Sequence, residues 1–314
     1  MTEALHDFQV FVKPASYRCN LACSYCYYLD KKRWFGISGE PPYMDDTLLE
    51  RYIRQHIVAH PGPDINFSWH GGEPTLLGVN YFQRIIELQR QYCPDGSNIT
   101  NGLQTNGSLL DDAWASFLSE HNFSVGLSLD GPEEIHDRYR LDSSGEGTFD
   151  LAMRGYDLLK RFNIPVDILC VLSNYNVMYP LQVYRFFKAI GATHISFLPL
   201  VERIEGESEP SVTARSVIPE GFGAFLCVVF DEWSTGDIGK IKVQIFEEAS
   251  RCAFNQSHSL CLFRPTCGDI PVLEYNGDVY TCDHFVNPDF KVGNINESEL
   301  GEILFSKPLL SFGQ

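Results

Sequence analysis

The stretch Cys19-Asn-Leu-Ala-Cys23-Ser-Tyr-Cys26 directly follows the first predicted strand, at residues 8–13. Thiolates are the usual ligands of iron–sulfur clusters. Three thiolates bind a four-iron cubane and leave one iron open to a further ligand. A structural zinc site is the alternative, but it needs a fourth Cys or His, and the Tyr-Tyr-Leu that follows provides none. The spacing therefore favours a [4Fe-4S] cluster.

An open iron on such a cluster can chelate the amino and carboxylate groups of S-adenosylmethionine (SAM). Reductive cleavage of the bound SAM gives a 5′-deoxyadenosyl radical, so the cofactor supplies the reactive species. The second predicted strand ends in His70-Gly71-Gly72-Glu73. Glycines let the backbone approach a ligand closely, here the methionine amino group. Beside the cysteine motif, this turn favours a cluster that binds SAM.

Polar residues near the ends of predicted strands are further candidates for binding SAM. Ser128 and Asp130 close the fourth strand, where a hydroxyl and a carboxylate can meet ribose or carboxylate groups. Arg140 can pair with the SAM carboxylate or form a surface ion pair. His70 can donate a hydrogen bond to SAM or simply be satisfied at the end of its strand.

A second group of cysteines, Cys261, Cys267 and Cys282, lies towards the C-terminal end. Between the last two, Asn-Gly is a strong signal for a two-residue turn, and it predicts a β-hairpin over residues 273–282. The hairpin would bring the three thiols together, where they can bind three irons of an auxiliary cluster.

Other assignments of this region stay open. Zinc accepts three thiolates and one imidazole, so His258 or His284 can complete a zinc site, or the thiols can be buried and free. Asp283 follows a candidate ligand and can act as a general base towards a substrate thiol or hydroxyl, or cap a turn. The remaining cysteines are interpreted as small buried apolar residues: Cys93, Cys170, Cys227 and Cys252.

Strand-like runs alternate with helical ones over the first two hundred residues. Predicted strands span 8–13, 65–69, 99–105, 124–129, 166–172 and 195–200, and predicted helices span 45–59, 79–91, 110–120, 151–162, 179–190 and 219–233. Six β-then-α units predict parallel strands with helices packed outside. They fit an open, partial (β/α) barrel as well as a flat doubly wound sheet. Residues 201–219, rich in Glu, Ser and Pro, predict a loop.

Composition narrows the classes of partner. The chain has 314 residues and a formal net charge of −17, so its surface repels phosphate backbones and anionic membranes. No apolar run reaches the ~18–20 residues of a membrane span. Residues 1–10 lack a signal-peptide pattern, and ten cysteines suit metal ligation in a reducing compartment. We therefore expect a cytoplasmic protein that binds neither nucleic acid nor membrane.

Six stretches carry a resemblance to a known family. They are Cys-Asn-Leu-Ala-Cys-Ser-Tyr-Cys-Tyr-Tyr at 19–28, Gly-Gly-Glu-Pro-Thr-Leu at 71–76, Gln-Thr-Asn-Gly at 104–107, Ser-Leu-Asp-Gly-Pro at 128–132, Phe-Leu-Pro-Leu-Val-Glu-Arg at 197–203 and Glu-Tyr-Asn-Gly-Asp-Val-Tyr-Thr-Cys-Asp-His-Phe-Val at 274–286. The chain resembles the anaerobic sulfatase-maturating enzymes, radical-SAM proteins with a C-terminal extension called SPASM. The resemblance implies a partial (β/α)6 barrel over residues 1–235 and an incomplete auxiliary-cluster domain over 236–314.

The resemblance also implies a reaction. Members of the family oxidise a cysteine or serine of a sulfatase, in a Cys/Ser-x-Pro-x-Arg segment, to Cα-formylglycine. The deoxyadenosyl radical would remove a hydrogen from the target Cβ, and Asp283 would take the thiol or hydroxyl proton. An electron would then leave through an auxiliary [4Fe-4S] cluster. Flavodoxin or ferredoxin is the implied electron donor.

By the same likeness, SAM contacts fall on five positions: Tyr25, Gly72, Ser128, Arg140, and Val201 or its neighbour Leu200. His70 stands where the family pattern has glutamine. The chain ends at Gln314 without the cysteine-rich tail that holds most auxiliary ligands, so we expect a fragment or a shortened electron path. Two alternatives remain, a radical-SAM enzyme that crosslinks or epimerises peptides and a catalytically incomplete protein.

Overall fold

The computed structural model describes residues 8–35, 43–204, 211–268 and 270–314. The first seven residues, which belong to the N-terminal segment predicted to lack a signal peptide, lie outside the described residues. So do residues 205–210 of the predicted loop.

The strands are β1 (Phe11–Lys13), β2 (Asp64–Trp69), β3 (Asn98–Thr105), β4 (Ser124–Ser128), β5 (Val166–Leu172), β6 (His194–Pro199), β7 (Lys242–Val243), β8 (Val272–Glu274), β9 (Asp278–Tyr280) and β10 (Lys291–Asn294). The helices are α1 (Lys32–Phe35), α2 (Asp46–Ala59), α3 (Gly78–Tyr92), α4 (Asp112–Glu120), α5 (Glu133–His136), α6 (Phe149–Arg161), α7 (Pro180–Ala189), α8 (Pro219–Gly236), α9 (Gln244–Ala253), α10 (Leu300–Leu304) and α11 (Lys307–Phe312). Predicted bounds agree to within about two residues at all but two ends. Strand β1 starts at Phe11, where its pairing with Ser68 of β2 begins, and α8 continues three residues further, to Gly236.

The ten strands of the described residues form one sheet in the order β10-β9-β8-β1-β2-β3-β4-β5-β6-β7. Strands β1 to β6 are parallel and adjacent in chain order. Every crossover therefore runs in the same direction, and the right-handed rule places the connecting helices on one face. A doubly wound sheet would reverse direction at a switch point. The fold is thus the open, partial (β/α)6 barrel, and the flat alternative is wrong.

The predicted hairpin is confirmed, with β8 and β9 antiparallel and Gly277 in the left-handed region at φ 88°. Its position was not predicted. Strand β8 pairs in parallel with β1, placing Leu273 beside Val12, so the cysteine-bearing C-terminal segment extends the barrel sheet. The division of the chain at residue 235 stays a prediction, because the sheet is continuous across it.

Helix α2 illustrates how the core forms. The Asp45 side chain accepts the Leu48 N–H at 2.8 Å and caps the first turn. Leu49, Ile53 and Ile57 repeat every four residues on one face and are buried. Each such burial stabilises by roughly 1.5–3 kcal/mol. Within the described ranges, no helix is long and apolar enough to cross a membrane.

Candidate cluster and substrate site

The first cysteine loop leaves the carboxyl end of β1, the edge where parallel α/β barrels build their active sites. Two backbone hydrogen bonds fasten it to the segment beyond β4. The N–H of Ala22 donates to the carbonyl of Leu141 at 2.8 Å, and that of Ser24 to the carbonyl of Tyr139 at 2.9 Å. These hydrogen bonds fasten the loop to the segment that follows α5.

The three thiols of this loop lie close to one another. Burial, opposed by a hydrogen bond from the Leu21 N–H and aided by the charges of Glu73, Cys23 and Cys26, raises the pKa of Cys19 to about 12. Part-buried thiols whose ionisation is opposed in this way become thiolates when bound cations share their charge, and the irons of an iron–sulfur cluster supply that charge. The donor set fits the predicted cluster.

The glycine turn packs against the cysteine loop. The N–H of Gly72 donates to the carbonyl of Ser16 at 2.6 Å. A Cβ on Gly72 would lie 2.1 Å from the carbonyl oxygen of Arg18, so only glycine permits this approach. Gly71 has φ 134°, a conformation that other residues rarely adopt. The turn thus presents backbone rather than side chains beside the thiols.

The Glu73 carboxylate is fully buried and faces protein. It accepts hydrogen bonds from the Thr75 N–H and hydroxyl, the Thr105 hydroxyl and the Asn106 N–H. Burial raises its pKa. Glu73 therefore joins the ends of β2 and β3. The Asn106 side chain in turn donates to the sulfur of Cys19 at 3.7 Å, a contact that the sequence analysis missed.

Asp130 and Arg140 form a buried ion pair. Two guanidinium nitrogens of Arg140 donate to the two carboxylate oxygens at 3.0 and 3.1 Å. The Tyr25 hydroxyl donates to Asp130 at 2.5 Å, and the Val171 N–H at 2.9 Å. Arg140 does pair with a carboxylate of the protein, but inside it rather than at the surface. Ser128, half-buried, closes β4 next to this pair.

The other two candidate SAM contacts follow β6. Leu200 is buried, and its N–H and carbonyl are bonded to Leu172 and Val217. Val201 is 66% exposed. Of the two neighbours, Val201 has the more accessible position.

Cys261, Cys267 and Cys282 also converge. Burial raises the pKa of Cys282, and the charges of Cys261 and Cys267 contribute. His258 contacts Glu248 and Cys252 through its two ring nitrogens, rather than this group. Among the described residues, no three His, Cys, Asp or Glu side chains could hold a single metal ion.

Asp283 links the two cysteine groups. It follows Cys282, and it accepts a 2.5 Å hydrogen bond from the hydroxyl of Tyr27, which follows Cys26. The Lys13 ammonium lies 2.7 Å from its other oxygen. Burial alone would raise the pKa of Asp283, but Lys13 and Tyr27 lower it to about 2. The carboxylate is ionised at neutral pH.

Lys13 organises the surroundings of Asp283. Its ammonium lies 4.6 Å from the ring centre of Tyr28, and the Tyr28 hydroxyl donates to the fully buried Glu274. Burial raises the pKa of Glu274 to about 7. None of these residues was predicted. The sequence did contain one indication of them. Lys13 follows the apolar residues 10–12 of a buried strand, and a buried lysine needs charged or polar partners.

His70 lies beside this group, not only at the end of its strand. Its ring stacks on Phe11 at 4.1 Å and contacts the Ser68 hydroxyl at 2.9 Å. Burial, with the charge of Lys13, lowers the pKa of His70 to about 3. The ring is neutral at physiological pH.

The interpretation of the scattered cysteines needs correction. Cys170 is buried, as expected, but Cys93 is only half-buried, and Cys227 and Cys252 are exposed. The alternation of apolar residues does not distinguish a cysteine on the outer face of a helix from one in the core.

The sequence matches two known families. The Radical SAM superfamily matches residues 14–187, and the SPASM iron–sulfur cluster-binding domain matches residues 261–314. The serine-type anaerobic sulfatase-maturating enzyme of Bacteroides thetaiotaomicron is 41% identical over 317 residues, which cover 97% of this chain and 76% of that protein. The cysteine-type enzyme of Clostridium perfringens is 33% identical over 298 residues, covering 94% of this chain and 79% of that protein.

Solved structures agree. The structure of native anSMEcpe with bound AdoMet and Cp18Cys peptide superposes with a TM-score of 0.89 at 31% identity, covering 98% of this chain and 83% of that chain. The cofactors expected from the cysteine motifs are confirmed: a [4Fe-4S] cluster, SAM and auxiliary iron–sulfur ligation. The chain belongs to the radical SAM superfamily and, within it, to the anaerobic sulfatase-maturating enzymes.

Proposed function

We propose that this chain oxidises a cysteine or serine of a sulfatase peptide to Cα-formylglycine. One observation carries the proposal. Asp283, an ionised carboxylate, lies between the two cysteine groups and is bonded to the residue after Cys26. A proton acceptor placed between a radical source and an electron acceptor is what oxidation of a thiol or an alcohol requires.

The residues around Asp283 have separate tasks. When bound, the cluster and SAM supply a radical that removes a hydrogen from the target Cβ. Asp283 accepts the thiol or hydroxyl proton, general-base assistance typically worth about 10²–10⁴-fold. Lys13 keeps the carboxylate ionised, and Tyr27 fixes its orientation by a hydrogen bond to one oxygen.

The SAM site is built mainly from backbone. The Gly71–Gly72 turn, Ser128 and Val201 lie at the carboxyl ends of the alternate strands β2, β4 and β6, where they can contact the amino acid and ribose parts of SAM. The buried Asp130–Arg140 pair supports this wall, since its polar groups already bind each other, Tyr25 and the backbone.

A peptide labelled with deuterium at the target Cβ tests the function. The reconstituted, reduced protein should convert a Cys-x-Pro-x-Arg or Ser-x-Pro-x-Arg peptide to the aldehyde and transfer deuterium into 5′-deoxyadenosine. The variant Cys19→Ala/Cys23→Ala/Cys26→Ala, as control, should form neither product. Deuterium retained in a crosslinked or epimerised peptide would instead show attack at Cα and overturn the proposal.

The finer assignments belong to the same proposal. Relatives of both the serine and the cysteine type match, so both peptides are tried. Flavodoxin or ferredoxin is the proposed electron donor, and the Pro-x-Arg flank the proposed recognition motif. We place the enzyme in the cytoplasm, since cysteine-bound clusters suit a reducing compartment.

A further inference from the structure

A second cluster of reactive groups lies outside the site described above, where α9 ends. The exposed thiol of Cys252 lies 3.1 Å from Nε2 of His258. Nδ1 of the same ring lies 2.9 Å from the carboxylate of Glu248. The three side chains form a Cys–His–Glu chain in which the thiol faces solvent and the carboxylate is 2% exposed.

The local sequence explains why these groups meet. Glu248 and Cys252 are four residues apart on α9 and therefore share a face. Asn255 ends the helix with φ 55°, a left-handed conformation that asparagine tolerates. The side chain of Arg251 then donates to the carbonyl of Ser257 at 2.7 Å. The chain is folded back over the helix, which brings His258 above Cys252.

The carboxylate is firmly held. Besides the imidazole, it accepts the Ser259 N–H at 2.7 Å, the Ser259 hydroxyl at 2.6 Å and the Leu260 N–H at 3.3 Å. Burial alone would raise the pKa of Glu248, but these hydrogen bonds lower it. An ionised carboxylate of fixed position orients the imidazole.

This arrangement sets the tautomer of His258. A carboxylate can only accept, so Nδ1 carries the proton that is donated to Glu248. Nε2 is then the acceptor and receives the hydrogen bond from the Cys252 thiol. The geometry is that of a nucleophile beside a base that is oriented by a third group.

We propose that Cys252 is a nucleophilic thiol site, activated by His258 and Glu248, that reacts with low-molecular-weight disulfides. As Sγ attacks one sulfur of the disulfide, the thiol proton passes to Nε2 of His258. The disulfide bond breaks, and its other half leaves as a thiolate that recovers the proton. Cys252 is oxidised to a mixed disulfide, and the leaving half is reduced to a thiol.

The site lies on the segment that leads to the auxiliary cysteines. The amides that Glu248 accepts belong to Ser259 and Leu260, directly before Cys261. The same carboxylate thus holds both the imidazole and the backbone directly before Cys261.

The test measures the rate of mixed-disulfide formation at each cysteine. The reconstituted protein is treated anaerobically with 2-hydroxyethyl disulfide, a neutral probe that the acidic surface does not repel. Samples are quenched with acid and mapped by peptide mass spectrometry. Cys227, exposed on α8, is the internal reference, and cluster cysteines are followed in the same digest.

We expect Cys252 to react about tenfold faster than Cys227 near neutral pH, because the imidazole 3.1 Å from its sulfur can take the thiol proton as the sulfur attacks. His258→Gln should lower the Cys252 rate to that of Cys227, while the Cys227 rate stays unchanged and reports an intact fold. His194→Gln, an exposed histidine elsewhere, should change neither rate. Equal rates in the unmodified protein, or a Cys252 rate unaffected by His258→Gln, would overturn the proposal.

Discussion

The Asp130–Arg140 pair and the Asp283–Lys13 pair are made of similar parts but are held differently. Arg140 contacts both oxygens of Asp130 through two nitrogens, and the side chains are 9% and 3% exposed. Lys13 contacts one oxygen of Asp283, whose side chain is 17% exposed. Each carboxylate also accepts a hydrogen bond from a tyrosine that is adjacent to Cys26 in the sequence, Tyr25 for Asp130 and Tyr27 for Asp283.

The difference teaches what each pair is for. A guanidinium is planar, and its two N–H groups set the orientation of a carboxylate as well as balancing its charge. An ammonium is a point charge and balances the charge without setting the orientation. The Asp130–Arg140 pair is therefore a closed structural clamp. The Asp283–Lys13 pair keeps its carboxylate ionised and leaves it partly accessible, which suits a group that exchanges protons with a substrate.

The largest expected effect comes from opening the clamp. Arg140→Met leaves the Asp130 carboxylate buried without its cation, and breaking a buried pair costs about 3–5 kcal/mol. We expect a clear fall in unfolding temperature together with loss of SAM cleavage. Thermal unfolding and 5′-deoxyadenosine release measure the two effects.

Arg84→Met is the matched control, because Arg84 pairs with Asp46 at the surface and such pairs contribute little. If Arg140→Met instead binds SAM more weakly at unchanged stability, Arg140 is a direct SAM ligand. The Asp130–Arg140 pair would then not be purely structural.

A more selective effect is expected at the second pair. Asp283→Asn keeps the shape but removes the proton acceptor, so formylglycine formation should fall by about 10²–10⁴-fold while SAM cleavage persists. Product per 5′-deoxyadenosine, measured by mass spectrometry, is the readout. Asp289→Asn, an exposed carboxylate nearby, should leave the ratio unchanged, and an unchanged ratio in Asp283→Asn would assign it a structural role.

The smallest effect concerns Glu274, next to Lys13. Its pKa rises from 4.5 to about 7 on folding, so the folded state binds more protons between these values and stability falls as pH rises through them. This pKa difference corresponds to a loss of roughly 3 kcal/mol at most in the free energy of unfolding. The glutamine of Glu274→Gln can still accept the hydrogen bond from the Tyr28 hydroxyl, and because it does not ionise it should remove this loss.

Unfolding temperatures at about pH 5 and pH 8 test this sign. Between pH 5 and pH 8 the unfolding temperature of the unmodified protein should fall more than that of Glu274→Gln. The control Glu297→Gln, exposed on the same segment, should behave like the unmodified protein. Parallel losses in all three would show that Glu274 is ionised throughout.

The sequence predicted what is local. The Cys19–Cys26 spacing, the Asn-Gly turn and the six β/α units depend on residues close together in the chain, and all are present in the structure. The side-chain partners were not predictable. Tyr25 meets Asp130 across 105 positions and Tyr27 meets Asp283 across 256, and no periodicity encodes such distances. For the same reason the parallel pairing of β8 with β1 was missed.

That pairing gives the fold an order of assembly. Strand β1 lies inside the sheet, with β2 on one side and β8 on the other, and Val12 is completely covered. As the chain leaves the ribosome, one edge of β1 stays unpaired until residues 272–274 have been made. An open edge invites pairing with other chains, and such long-range closure is slow. The strand that carries the first cysteine loop therefore gains its second neighbour, the first strand of the hairpin that leads to Cys282, only after residues 272–274 have been made.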